Sequence, residues 1–229
     1  MSQEESGGGI TVTTNGPYLV AGLPLRRVRE IASEHGEPLT TQTTTELETD
    51  GSYALCRCGG SSNKPFCDGT HAAIGFDGTE TAPTSNYHDR ARVYEGTGVV
   101  MGDDRSICEH AGFCANRVTN VWKVMKSDAT EDSIVRSQLM SMVERCPSGA
   151  LTHRLTTDGD DIEPALVKGV GVVDDGPLLV TGGIDVSRSD NDSFETRNRM
   201  TLCRCGSSSL KPLCDGTHKK IGFSDRTLT

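Results

Sequence analysis

The chain has 229 residues, of which 34% are hydrophobic and only 4% aromatic, and its formal net charge is −9. This small apolar content favours two or three small metal-binding units over one large hydrophobic core. The negative charge argues against binding to nucleic acid or to an anionic membrane surface. Without a stretch of 18 apolar residues, we expect no membrane span. The polar N-terminal segment lacks the pattern of a signal peptide, which favours a cytoplasmic protein.

The chain begins with a polar, glycine-rich segment, residues 1–9, that we expect to be a flexible tail. β-branched residues at 10–14, a turn signal at 15–17 and the short apolar run 18–20 then predict a β-hairpin. The same hairpin pattern recurs at residues 170–180, so the two ends of the chain carry related units. The first unit is 13 residues longer between its hairpin and its cysteines, and these residues are compatible with either extra β-structure or a loop.

A 16-residue motif follows each hairpin and contains three cysteines and one histidine in the spacing C-x-C-x8-C-x3-H. The second copy begins 147 residues after the first, and 16 of the 21 positions from Cys56 to Phe76 are identical in it. Three thiols and one imidazole suit either a structural zinc ion or an iron–sulfur cluster. The tight C-x-C pair favours two thiolates on one iron of a two-iron cluster.

Both copies resemble the CDGSH iron–sulfur domain family. Ser61, Pro65 and residues 68–71 match the family pattern in order, and the equivalent positions of the second copy match as well. The resemblance implies one 2Fe–2S cluster in each copy, held by three cysteines and one histidine. The implied ligands are Cys56, Cys58, Cys67 and His71 in the first copy, and Cys203, Cys205, Cys214 and His218 in the second.

Short strands at 52–55 and 199–202 are predicted to lead into the two motifs. Pro65 and Pro212 each precede the third cysteine by two residues and restrict the backbone there. Asp68 and Asp215 are placed to cap a short helix that begins near the histidine.

The middle of the chain holds the other three cysteines, Cys108, Cys114 and Cys146. Bacterial ferredoxins use C-x2-C-x2-C followed by a distant Cys-Pro. Here Ala111 occupies the place of the central cysteine, and Cys146 is followed by Pro147. Apolar residues from Ile134 to Val143 follow helical spacing and predict a core-facing helix that ends just before Cys146. We therefore expect the three thiols to converge on one cluster.

This stretch resembles the divergent single-cluster ferredoxin domains that bind a 3Fe–4S or 4Fe–4S cluster. The resemblance lies in the C-x-H-x-G-x-C beginning at Cys108 and the C-P-S-G-A-L ending at residues 146–151. Three thiolates suit a 3Fe–4S cluster, whereas a 4Fe–4S cluster needs a fourth ligand from His110, water or a partner. A local hydrogen-bonding role for His110, and a region without any cluster, remain alternatives.

The sequence thus predicts a small, β-rich α+β protein. Two CDGSH units at 10–76 and 170–229 are expected to form an intramolecular pseudo-dimer, because CDGSH units normally associate in pairs. A ferredoxin-like α+β domain at 91–155 lies between linkers at 77–90 and 156–169. We expect the chain to be a monomer with internal pseudo-twofold symmetry.

Neither a catalytic triad nor a paired-carboxylate site nor a phosphate-binding loop stands out, so we do not expect an enzyme. The cluster motifs favour electron transfer between protein partners. The alternative is cluster transfer to an acceptor protein, or redox and pH sensing, because a histidine ligand must be neutral to bind iron and titrates near neutrality. The expected partners are redox or cluster-acceptor proteins.

Overall fold

The computed structural model describes residues 8–192 and 194–225. Most of the expected N-terminal tail, residues 1–7, lies outside this part of the chain. Strands account for 30% and helices for 17%, so the protein is small and β-rich, as its composition indicates. The strands form three sheets.

The first sheet contains the predicted N-terminal hairpin. Strands β1 (Gly9–Val12) and β2 (Tyr18–Ala21) pair antiparallel. Asn15 takes a left-handed conformation in the turn between them, with a φ of 50°. A later strand, β5 (Ser52–Leu55), pairs with β2 and leads into the first cysteine motif. The fourth strand, Val186–Ser187, comes from the other half of the chain and runs parallel to β1.

The second sheet is built in the same way from the C-terminal half. Strands β9 (Gly169–Val173), β10 (Leu178–Thr181) and β12 (Arg199–Leu202) repeat the antiparallel order of the first sheet. Strand β3 (Leu25–Ala32), from the N-terminal half, runs parallel to β9. It pairs in turn with β4 (Pro38–Leu47), which forms the edge. With Val186–Ser187 as β11, the first sheet contains one strand from the C-terminal half, and the second sheet contains two strands, β3 and β4, from the N-terminal half.

Strands β3 and β4 also account for the residues whose structure the sequence left open. The arginine-rich run of the first unit lies in β3, and the threonine-rich run lies in β4. Strand β4 is exposed along most of its length, so its β-branched threonines and its ladder to β3, rather than a buried face, account for its extended conformation.

The middle region folds around a three-stranded antiparallel sheet of β6 (Arg92–Gly96), β7 (Val99–Asp103) and β8 (Leu151–Arg154). Two helices, α3 (Val121–Met125) and α4 (Ser133–Glu144), pack beside it. Helix α4 is the predicted helix, and it ends two residues before the third cysteine of this region.

Asp132 is the N-cap of helix α4, and its carboxylate accepts hydrogen bonds from the backbone amides of Ile134 and Val135. Its buried positions are Leu139 and Val143. Ile134, which the sequence pattern assigned to the core, is instead 68% exposed. It lies in the first turn of the helix, before the buried positions.

The remaining helices are short. They are α1 (Thr70–Ala73), α2 (Tyr87–Arg90) and α5 (Thr217–Lys220), with 3-10 turns at Arg105–Ile107 and Asp128–Glu131. Among the described residues, no helix has the length and apolar character needed to cross a membrane.

The segment that connects the first unit to the middle region packs against the C-terminal unit and against the middle region itself. The backbone amides of Thr81 and Ala82 both donate to the carbonyl of Lys211, at 2.7 and 3.0 Å. Tyr87 is fully buried, and its hydroxyl donates to the carbonyl of Ala150. These contacts fix the middle region relative to the C-terminal unit.

Tyr18 joins the two halves through a buried hydrogen bond. Its side chain has no exposed surface, and its hydroxyl donates to the carbonyl of Cys203 at 2.8 Å, with the carbonyl of Pro212 at 3.1 Å. Burial raises the pKa of the Tyr18 phenol well above its ordinary value, so the hydroxyl remains a donor. A residue of the first unit thus supports the cysteine loop of the second.

We predict that Tyr18→Phe lowers the free energy of unfolding by about 1–3 kcal/mol, because two buried carbonyls lose a donor. Chemical denaturation followed by circular dichroism measures this change. Tyr94→Phe in the middle region is the control and should change stability by less than about 0.5 kcal/mol. Equal effects of the two substitutions would contradict the proposed link.

Candidate metal centres

The first cysteine motif forms a closed loop at the end of β5. The amide of Cys56 donates to the carbonyl of Pro65 at 2.8 Å, and the amide of Cys67 donates to the carbonyl of Ala54 at 2.9 Å. These two bonds bring the third cysteine back beside the first two. Proline removes one backbone donor at this point and restricts the chain, which suits a loop with fixed ligand positions.

The ligand atoms of the first motif form two pairs. The sulfurs of Cys56 and Cys58 are 3.8 Å apart, and the sulfur of Cys67 is 3.4 Å from Nδ1 of His71. Two thiolates at about 2.3 Å from one tetrahedral metal are separated by roughly 3.8 Å. The first pair therefore has the spacing of two ligands on one metal, and Nδ1 is the ring nitrogen of His71 that faces the site.

The second motif repeats this geometry. Cys203 and Cys205 have sulfurs 3.7 Å apart, and the sulfur of Cys214 is 3.3 Å from Nδ1 of His218. In the described part of the chain, no three His, Cys, Asp or Glu side chains come close enough together to hold a single metal ion. Each motif thus presents its four predicted ligands as two separate pairs.

Hydrogen bonds inside each loop hold these pairs in place. Ser61 donates its hydroxyl to the carbonyl of Phe66 at 2.7 Å, and Ser208 does the same to Leu213. The amide of Gly60 points at the sulfur of Cys58, at 3.4 Å. Amide donors to ligand sulfur stabilise thiolates and tune metal–thiolate sites.

The aspartate of each motif organises the turn before the histidine. The helix N-cap is Gly69, and Asp68 precedes it, so the predicted cap lies one residue too early. The carboxylate of Asp68 nevertheless accepts the first helical amide, from Thr70, together with the amide and hydroxyl of Ser62. These hydrogen bonds hold the pKa of Asp68 well below its usual range. Asp215 makes the equivalent contacts in the second motif.

The arginine between the first two cysteines is a supporting residue whose role the sequence analysis did not identify. Arg57 is 1% exposed and donates to the carbonyls of Thr13 and Gly78. Arg204 is similarly buried and pairs with the carboxylate of Asp225 at 3.0 Å. Both arginines lie over a phenylalanine ring at the end of the motif. The presence of arginine at the same place in both copies is the sequence signal from which this role could have been predicted.

The two motifs differ in their exposure. His218 is 5% exposed and all three cysteines of the second motif are buried, whereas His71, Cys58 and Cys67 are partly exposed. Burial, followed by the charges of Lys219 and Arg204, lowers the pKa of His218 to about 4. The neutral imidazole that metal binding requires is therefore favoured at the second site.

The three cysteines of the middle region line one cavity of about 150 Å³. Cys108 and Cys114 come from the loop after β7, and Cys146 comes from the end of α4. Burial raises the pKa of Cys114 to about 11 and also raises that of Cys146. Thiols in such surroundings ionise when a metal binds them.

Ala111 and His110 also line this cavity, so the position that a further cysteine occupies in bacterial ferredoxins lies on the same cavity wall as the three thiols. The amide of His110 points at the sulfur of Cys108, at 3.4 Å. Arg105 closes another side, with its guanidinium 4.0 Å from the ring centre of Trp122. The cavity therefore offers three thiols, an imidazole and a nearby positive charge, which together suit an anionic iron–sulfur cluster.

Comparison with known proteins agrees with this geometry. Residues 15–72 and 175–219 match a family model described as an iron-binding zinc finger of CDGSH type. Residues 94–156 match a family model described as a divergent 4Fe-4S mono-cluster. The chain is a tandem CDGSH protein. Its two CDGSH regions flank a divergent mono-cluster region, and no curated protein matched the chain.

This tandem CDGSH protein binds iron–sulfur cofactors through its CDGSH and mono-cluster regions. The donor sets fit such cofactors. Thiolates with one imidazole are ligands for iron–sulfur iron, and each CDGSH motif has no competing carboxylate in the ligand positions. In the mono-cluster region the three thiols share one cavity.

We predict that acid releases iron from the two CDGSH sites in two steps. The first site loses iron first, because solvent reaches its partly exposed ligands Cys67 and His71. His218 has a folded-state pKa of about 4, so the folded second site excludes a proton that the unfolded chain accepts between about pH 6.5 and 4. Its stability falls across that window, and iron loss is delayed to lower pH. Visible absorbance decay from pH 8 to about 3.5 measures both steps.

The variants His71→Cys and His218→Cys assign the steps. Each should slow acid loss at its own site and lower the reduction potential there, because a thiolate adds negative charge. His88→Cys, on the surface of α2, is the control and should change neither step. Unchanged decay and potentials in both ligand variants would show that His71 and His218 do not bind iron.

Proposed function

We propose that the chain is an electron carrier that holds two 2Fe–2S clusters and one 3Fe–4S or 4Fe–4S cluster. The observation that carries this proposal is the division of each CDGSH ligand set into two close pairs. A cluster of two irons needs two ligands on each iron, and each motif supplies one Cys–Cys pair and one Cys–His pair. In this assignment Cys56 and Cys58 bind one iron, and Cys67 and His71 bind the other.

The same pairing argues against a structural zinc ion. Four ligands of one tetrahedral zinc all lie within roughly 3.8 Å of one another. The described side chains approach at this distance only within each pair, and no group of three does so. A binuclear centre is therefore the better fit to both motifs.

For the middle region, the proposal assigns Cys108, Cys114 and Cys146 as the ligands of one cluster. Three thiols and an alanine at the fourth position favour 3Fe–4S. The match to a 4Fe-4S mono-cluster family supports the other assignment, with His110 on the cavity wall as the candidate fourth ligand. The antiparallel sheet with two packed helices is compatible with a ferredoxin-like domain.

We also propose that the two CDGSH units form an intramolecular pseudo-dimer, so that the chain acts as a monomer. The reciprocal exchange of β3 and β11 between the sheets supports this arrangement. A further support is the reciprocal contact between Gly59 and the backbone of Cys205, and between Gly206 and the backbone of Cys58. Both glycines have a φ near 78°, and a side chain on either would collide with the opposite loop.

A second function, transfer of a cluster to an acceptor protein or sensing of pH, is favoured by the first site alone. His71 and Cys67 are partly exposed there, whereas the second site is buried. In either function the partners are redox or cluster-acceptor proteins, and we propose no catalytic reaction for the chain itself.

Anaerobic purification followed by iron and sulfide analysis tests the proposal. We expect about seven or eight irons per chain, EPR signals of more than one cluster type on reduction, and a monomer by light scattering. Mixing the reduced protein with an oxidised, cluster-loaded ferredoxin tests electron transfer, and mixing it with an apo-ferredoxin tests cluster transfer. A carrier reduces the loaded ferredoxin and retains its own iron, whereas a donor loses its 2Fe–2S absorbance to the apo-ferredoxin. A zinc-containing, iron-free protein would refute both.

We predict that Ala111→Cys converts a 3Fe–4S cluster of the middle region to 4Fe–4S, because the new thiol faces the other three. EPR of the oxidised protein measures the conversion as loss of the 3Fe–4S signal, and iron content rises by about one atom per chain. Ala115→Cys, which adds a thiol outside the lining of the cavity, is the control and should leave the signal intact. A signal that persists in Ala111→Cys would contradict the assignment.

A further inference from the structure

The two CDGSH loops are equivalent in sequence but not in their surroundings. The loop of residues 108–113 in the middle region covers the second one. A Cβ atom added to Gly216 would lie 2.6 Å from the carbonyl oxygen of Glu109, so the two backbones are in direct contact. Lys219 extends this contact, with its Nζ 3.4 Å from the carbonyl oxygen of His110.

The equivalent face of the first unit is open. We define this α1 face as residues 68–74, which include the short helix after Cys67. A Cβ atom on Gly69, the counterpart of Gly216, would meet no atom within 4 Å. Asp68, Gly69 and Ala72 are exposed, and Ile74 is 55% exposed. The glycine between the third cysteine and the histidine therefore contacts the middle region in the second unit, whereas its counterpart in the first unit meets no atom within 4 Å among the described residues.

The α1 face and the equivalent face of the second unit also differ in charge. Five of the 21 motif positions differ between the copies, and two of them replace Ala72 and Ala73 of the first unit by Lys219 and Lys220 of the second. Lys219 of the second unit donates to the carbonyl oxygen of His110 in the loop 108–113. The α1 face has no lysine or arginine, and it exposes the carboxylate side chain of Asp68.

We propose that the α1 face is the docking surface for a basic electron-carrier protein, which covers it as the loop 108–113 covers the second unit. This inference rests on the proposed function, because it assumes that the chain exchanges electrons with a protein. The basic character of the partner follows from charge complementarity with Asp68 and the exposed Asp77, on a chain whose formal net charge is −9.

The internal contact indicates how the partner approaches. Because Gly216 has no side chain, the backbone of the loop 108–113 comes within van der Waals distance of the ligand loop, between Cys214 and His218. Gly69 offers the same gap between Cys67 and His71, with a φ of 88°. A second copy of this chain is a poor occupant, because its own loop 108–113 already covers its second unit and the α1 face lacks the lysine that binds that loop.

Binding of a basic c-type cytochrome to the purified, cluster-loaded protein tests the proposal. The variant Ala72→Lys/Ala73→Lys gives the α1 face the charges of the second unit. We expect it to weaken binding roughly tenfold at low salt, measured by calorimetry, as for added like charges at an interface. The matched control, Lys220→Ala, changes charge at the covered unit and should leave the affinity within twofold.

Carbodiimide cross-linking locates the contact independently of affinity. In the wild-type complex we expect cross-links from Asp68 or Asp77 to lysines of the cytochrome, identified by mass spectrometry, and their loss at high salt. Cross-links confined to other carboxylates, or equal affinity of wild type and Ala72→Lys/Ala73→Lys, would overturn the proposal. Self-association of the wild type through Asp68, seen by light scattering, would overturn it in favour of a second copy.

Failure of the proposal is distinguishable from failure of the proposed function. Iron and sulfide content and the visible spectrum are measured on every variant before binding. A protein that lacks clusters contradicts the proposed function. A protein that retains its clusters and reversible reduction but binds the cytochrome elsewhere contradicts only the docking surface.

Discussion

The pairing of strands between the two halves of the chain is the constraint on which the other features depend. Strand β11 completes the first sheet, and β3 and β4 complete the second, so neither sheet is complete without the other half. This exchange brings the two C-x-C loops together, where Cys58 and Cys205 form an antiparallel bridge. The glycine after each pair is then required, because any side chain would meet the opposite backbone.

The same constraint explains why so few apolar residues suffice. The buried residues of both sheets form one cluster with those of the middle region, so the units share a core that none of them could build alone. The buried arginines extend this arrangement. Arg57 and Arg204 bind backbone carbonyls of their own hairpins and fix each cysteine pair to the sheet below it. Metal ligands on such a support are preorganised before any metal binds.

The sequence predicted the features that local patterns encode. Cysteine and histidine spacing predicted which side chains the folded motifs bring together in pairs, turn residues marked both hairpins, and helical periodicity predicted α4. It could not predict the exchange of β3 and β11, because parallel pairing between distant segments leaves no local pattern and β11 has only two residues. The sequence could not decide between β-structure and a loop for β4, because a strand exposed on both faces shows no alternation of apolar and polar residues.

The difference between the two ligand loops follows from connectivity. A pair of equivalent CDGSH units presents two equivalent faces, but the chain contains one middle region, which can cover only one of them. Contacts of the connecting segment at Lys211 hold that region near the second unit. Lys219 adds a hydrogen bond that Ala72 cannot make at the first. The two units are therefore similar in fold but differ in their surroundings, and both properties are consequences of the single-chain architecture.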